Sequence, residues 1–60
     1  MADRAKAQIG DWVRFRRGGV LVVGVVAYVK EAKYYWQGGA VYETDIGEID
    51  HASLLEVRRG

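Results

Sequence analysis

The sequence predicts an all-β domain of five short strands curled into a small barrel, and three observations carry that prediction. The run from Val20 to Val29 is apolar nearly throughout and mostly β-branched, the composition that strands favour. Apolar and polar residues alternate with a period of two from Trp12 to Arg17 and again from Leu55 to Arg58. Glycine pairs at Gly18-Gly19 and Gly38-Gly39 supply the positive φ angles that tight hairpins need.

Each element can be justified in turn. Met1 to Gln8 is polar and Ala-rich, without a cap signal or an adequate apolar stripe, so a flexible N-terminal arm is expected over 1–8. The barrel then occupies 9–60, opened by the turn residues Gly10 and Asp11. From Trp12 to Arg17, Val13 and Phe15 face one way while Trp12, Arg14 and Arg16 face the other. Gly18-Gly19 turns this strand back into an antiparallel partner, Val20 to Val29. As a strand that run reaches about 33 Å. Leu21, Val23, Val25, Ala27 and Val29 point to one face, and Val20, Val22, Val26 and Tyr28 to the other. Apolar on both faces, it is expected to serve two sheets, bending at Gly24. Tyr34, Tyr35 and Trp36 follow a polar interval and are expected in a strand or wide hairpin, covering the barrel mouth. Ala40 to Thr44 and Glu48 to Asp50 read as two further strands. His51 to Leu54 suits a single 3₁₀ turn before a last strand from Leu55 to Arg58.

Length and charge narrow the functional classes. Sixty residues make one domain, too small for a catalytic domain of ordinary size. A chain this short buries only about 60% of its unfolded surface, so it needs close packing or association between copies. Cysteine is absent, which removes disulfides and thiolate metal sites, and one histidine among scattered carboxylates makes no structural zinc site. Neither a metal nor a cofactor is expected. With no N-terminal apolar segment resembling a signal peptide, a cytoplasmic location is expected. No membrane partner is expected either: Val20 to Val29 falls short of the roughly 20 residues a spanning helix requires. Nine Lys or Arg oppose eight Asp or Glu. Their distribution is uneven. Arg14, Arg16, Arg17, Arg58 and Arg59 mark a basic end, whereas Glu43, Asp45, Glu48 and Asp50 mark an acidic one.

Five strands, glycine turns and one 3₁₀ turn before the last strand describe an SH3-like barrel. A five-stranded OB-type barrel is the rival, and it wants a connecting helix for which there is no room. Gly10-Asp11, Val13-Arg14, Gly24, Val26, Tyr28, Gly39-Ala40-Val41, Gly47, Ile49, Ala52 and Leu55-Glu56 resemble the plasmid-borne type II dihydrofolate reductases. The resemblance spans Gly10 to Val57. It implies an SH3-like barrel that assembles as a tetramer around a central active-site pore. The family's catalytic Val-Gln-Ile-Tyr corresponds here to Gly47-Glu48-Ile49-Asp50, where only Ile49 matches, and a family lysine on the first strand falls at Phe15. Two carboxylates in place of an amide and a phenol repel both folate glutamate and cofactor phosphates. No catalytic residue carries over.

Two groups of residues are left as candidate sites. Trp12, Arg14 and Arg16 share the outward face of the first strand, and pairing of the last strand with the first brings Arg58 and Arg59 near them. An aromatic among guanidinium groups suits backbone contact and base stacking in nucleic-acid binding; the bland alternative is a solvated charged face. Val20, Val22, Val26, Tyr28, Tyr34, Tyr35 and Trp36 offer more apolar surface than one small interior absorbs, which predicts a homo-oligomeric interface in a dimer or tetramer. In the acidic stretch, Asp45 and Asp50 are expected to cap turns while Glu43 and Glu48 face water. His51 and Ser53 lack a third partner and make no nucleophile pair. The expected function is a non-enzymatic binding module contacting nucleic acid. A homo-oligomeric protein–protein adaptor of phage or mobile-element type stands second, and a diverged type II reductase-like protein third.

Overall fold

Strand β2 (Val20–Glu31) is where the architecture turns. Its first half, Val20 to Val25, pairs antiparallel with β1 (Trp12–Arg17); its second half, from Val26 onward, pairs antiparallel with β3 (Ala40–Thr44). The computed structural model describes residues 5–60 and adds two outer strands, β4 (Gly47–Asp50) beside β3 and β5 (Glu56–Arg58) beside β1. The spatial order is β4-β3-β2-β1-β5 in one antiparallel sheet, curled into a body of 24 × 24 × 21 Å. The five-stranded all-β fold is as expected. The sheet stays open, with β4 and β5 as its edges, an arrangement compatible with a small barrel.

β2 also carries a bulge that the sequence alone does not place. Val26 pairs with Thr44 and Tyr28 with Glu43, so Ala27 is an extra residue in β2. Such a bulge shifts the alternation by one. Val22 and Val26 face the interior before it and Val29 after it, while Tyr28 turns outward. Val26 is only 1% exposed, and Val22 packs against the same core. Both were expected at an interface between copies; they belong to the core instead. Gly24 also has a packing role. A Cβ there would lie 2.9 Å from Thr44 Oγ1 and 3.2 Å from Ile46 Cγ1, so glycine lets the β3–β4 turn press against β2.

The core gathers Val13 and Phe15 of β1, Val26, Ala40, Tyr42 and Leu54, with Ala7 among them. Ala7 lies in the segment expected as an arm, whose first four residues fall outside the described ones. Its N–H donates to Tyr42 Oη at 3.0 Å. The aromatic segment is not a strand. Tyr35–Gln37 is a 3₁₀ turn, because the Gln37 side-chain oxygen accepts from the N–H groups of Lys33 and Tyr34 at 3.0 and 3.1 Å. The second 3₁₀ turn, His51–Ser53, is the expected one, capped by Asp50 Oδ1 accepting from Ser53 N–H. Among the described residues no helix is long and apolar enough to cross a membrane.

Candidate nucleic-acid interface

Alternation along β1 sends Val13 and Phe15 fully inside and leaves Trp12, Arg14 and Arg16 on the outer face. Register then sets their neighbours. Trp12 stands between Val25 of β2 and Arg58 of β5, Arg14 between Val23 and Glu56, and Arg16 opposite Leu21. A surface hollow of about 400 Å³ opens between these rows, lined by Trp12, Arg14, Val23, Glu56, Arg58 and Arg59. Four of the five predicted residues therefore meet at one place. Arg16 lies one row further along the same face. Trp12 remains 50% exposed, so an indole face is available beside the guanidinium groups.

Glu56 is the residue that the sequence argument missed. Its Oε2 lies 2.9 Å from Arg58 Nε and its Oε1 3.4 Å from Arg14 Nη1. The Arg58 guanidinium holds the Glu56 carboxyl below its ordinary range, with Arg14 adding to the effect and partial burial opposing it. The signal was present: the period of two places Glu56 and Arg58 on one face, and a β1–β5 register would have set Glu56 against Arg14. Arg14, Arg16 and Arg58 outnumber Glu56 on this face, while Arg59 also acts on Asp11 at its flank.

The flanks hold the face in place. Asp11 Oδ2 accepts from Gln8 N–H at 2.9 Å and Oδ1 from Gly60 N–H at 3.3 Å, tying the chain's last residue to the start of β1. The bond from Gln8 chiefly lowers the Asp11 pKa, with Gly60 and Arg59 assisting against burial. Arg17 turns away from the hollow. It sits 5.4 Å over the Phe15 ring and donates to the Ile46 carbonyl, space for it being left by Gly47, whose φ is 127°.

The acidic end is more organised than expected. Glu43 and Glu48 are direct cross-strand partners that face water as expected, and Lys30 Nζ bridges them at 3.0 and 2.7 Å. Hydrogen bonds to Glu48 and then Glu43 raise the Lys30 pKa. Asp45 Oδ1 accepts from Val25 N–H at 2.8 Å, so Asp45 secures a turn as Asp50 does. Among the described residues no three His, Asp or Glu side chains gather as a metal site. His51 is buried with Nδ1 2.8 Å from Tyr42 Oη.

The remaining interface candidates separate into two groups. Val20 and Tyr28 are exposed on β2, joined there by Leu21 and Val23. Tyr34 and Trp36 stack on each other at 5.5 Å, and Tyr35 between them is 97% exposed. None of the three aromatics lines the hollow. Comparison with protein-family models, curated proteins and solved structures finds no match for this chain.

Proposed function

We propose that this protein is a small, non-enzymatic module that binds single-stranded nucleic acid on the outer face of β2, β1 and β5. The observation that carries this reading is the register of that face, which places the half-exposed Trp12 beside Arg58 with Arg14 in the next row. Stacking on Trp12 requires an unpaired base, which selects single strands over duplex. Residues two apart along a strand stand about 6.8 Å apart. Arg14 and Arg16 thus present a charge repeat close to the phosphate spacing of an extended strand. Four guanidinium groups are the electrostatic footprint, and the lack of Cys suits a reducing cytoplasm.

The test is a titration of labelled single strands at several salt concentrations. Affinity should fall steeply with salt, and losing one of Arg14, Arg16 or Arg58 should reduce the log–log slope by about 0.7 for a single strand. Salt-independent affinity, or none at low salt, refutes the proposal. A second reading, a homo-oligomeric adaptor, is favoured by one observation: Leu21, Val23 and Tyr28 leave apolar surface on the outer side of β2.

A further inference from the structure

One feature of the hollow is not used by backbone binding. A site that only attracts phosphate gains nothing from a carboxylate at its centre, yet Glu56 sits there between Arg14 and Arg58. Both guanidinium groups act on it as clamps, fixing the direction of its two oxygens. An ionised carboxylate is acceptor-only with about four lone-pair sites. Two ion pairs therefore leave acceptor capacity, and 37% of the side chain remains open to an incoming ligand.

The placement relative to Trp12 is specific. Trp12 is the cross-strand partner of Arg58, and Glu56 lies two residues earlier on β5, opposite Arg14. Diagonal neighbours of this kind are about 7–8 Å apart. A base stacked on the indole and overhanging β5 would bring its edge towards the carboxylate. We infer that Glu56 reads the Watson–Crick edge of guanine in a base stacked on Trp12; this rests on the nucleic-acid reading above and specifies its preferred ligand. Guanine is the base whose edge carries two adjacent donors, N1–H and the N2 amino group, matching the two oxygens of a carboxylate. Cytosine and adenine bring one exocyclic donor each. Thymine and uracil bring one N–H flanked by two carbonyls, which the carboxylate repels. The neighbouring arginines meanwhile take the phosphates on either side.

The experiment follows Trp12 fluorescence in the Trp36→Phe background, where Trp12 is the remaining tryptophan. The probes are alternating guanine–thymine, inosine–thymine and cytosine–thymine deoxyoligomers of equal length at low salt. The guanine oligomer should bind about tenfold tighter than the cytosine one, the scale of a bidentate base contact. Inosine, which lacks the N2 amino group, should fall between them, and this comparison needs no change in the protein. Glu56→Ala, which removes every acceptor at this position, should abolish the preference while retaining binding, with a thermal melt confirming that the variant is folded. Equal affinity for all three oligomers overturns the guanine inference and leaves the nucleic-acid reading standing. A preference that survives Glu56→Ala overturns the assignment to Glu56. No binding of any oligomer overturns both.

Discussion

Replacing Tyr42 with Phe removes one oxygen atom from the centre of the molecule. Tyr42 is fully buried on β3, and its hydroxyl accepts from Ala7 N–H at 3.0 Å and lies 2.8 Å from His51 Nδ1. One phenol thus joins the segment before β1 to the 3₁₀ turn before β5. The ring of Phe fills the same space, so no cavity opens and packing is conserved. What changes is polar satisfaction. Ala7, at 2% exposure, and the buried His51 are each deprived of that partner. A net hydrogen bond contributes about 1 kcal/mol, and a buried group left without its bond costs about 1–3 kcal/mol. The two contacts together predict a loss of about 2–3 kcal/mol. Domains of this length have a total stability on the order of 3–9 kcal/mol, so the loss is a large share. Each kcal/mol shifts the midpoint of a 60–100-residue domain by about 4–8 °C. The melt of Tyr42→Phe, followed by circular dichroism, should accordingly drop by about 10–20 °C. A drop below about 3 °C would refute the reasoning, since water or a rearranged neighbour would then be replacing the hydroxyl at no cost.

Two other perturbations follow from the same packing and charges. Gly24→Ala places a methyl 2.9 Å from Thr44 Oγ1 and should destabilise by about 1–3 kcal/mol through overpacking, read as a lower urea midpoint at unchanged slope. The pH profile should fall at both ends. Asp11 and Glu56 have lowered pKa values, so their contribution is complete above the unfolded carboxylate range of about 4 and is lost as pH falls through the folded values; Asp11→Asn and Glu56→Gln should flatten the acid limb of a urea-midpoint profile. Lys30 has a raised pKa, so its contribution is complete below about 10.4 and is lost as pH rises through the folded value; Lys30→Met should flatten the alkaline limb.

The fold was legible because the strands announce themselves. The period of two in β1, the glycine pair after it and the β-branched run of β2 each dictate a local conformation, and those conformations are mutually compatible. Two features escaped for the same physical reason, namely that each is a decision between near-equal local alternatives. Aromatic residues favour strands, but Gln37 can fold back on the N–H groups of Lys33 and Tyr34, and that contact makes a 3₁₀ turn of the segment. Nothing in Val25-Val26-Ala27-Tyr28 marks Ala27 as the bulge. It is set by how β3 registers against β2, and it decides that Val26 enters the core while Tyr28 leaves it. The candidate site was half legible. Alternation alone puts Trp12, Arg14 and Arg16 on one face. The ion pair of Glu56 with Arg14 emerges only from the β1–β5 register, a contact between residues far apart in the chain.

That register also makes the two functional readings compete. Val23 lines the hollow and is the cross-strand partner of Arg14, and Leu21 is the partner of Arg16, so the apolar surface of β2 and the basic surface of β1 form one continuous face. A second copy covering Leu21 and Val23 would desolvate the guanidinium groups beside them. Burying charges without partners is costly, and like charges from the second copy would add repulsion if the same face met itself. Association through this face and binding of a nucleic-acid strand are therefore mutually exclusive. Any oligomer held there should dissociate as a single-stranded oligomer is added, and high salt, which screens the arginines and weakens nucleic-acid binding, should favour it. Sedimentation at micromolar concentration, with and without the strand, reads both effects. Val23→Glu should abolish association through this face and also weaken strand binding, because it adds a second carboxylate to the hollow. An oligomer that persists unchanged with the strand bound would place the interface elsewhere. The exposed Tyr35 turn, which does not line the hollow, would then be the surface to mutate.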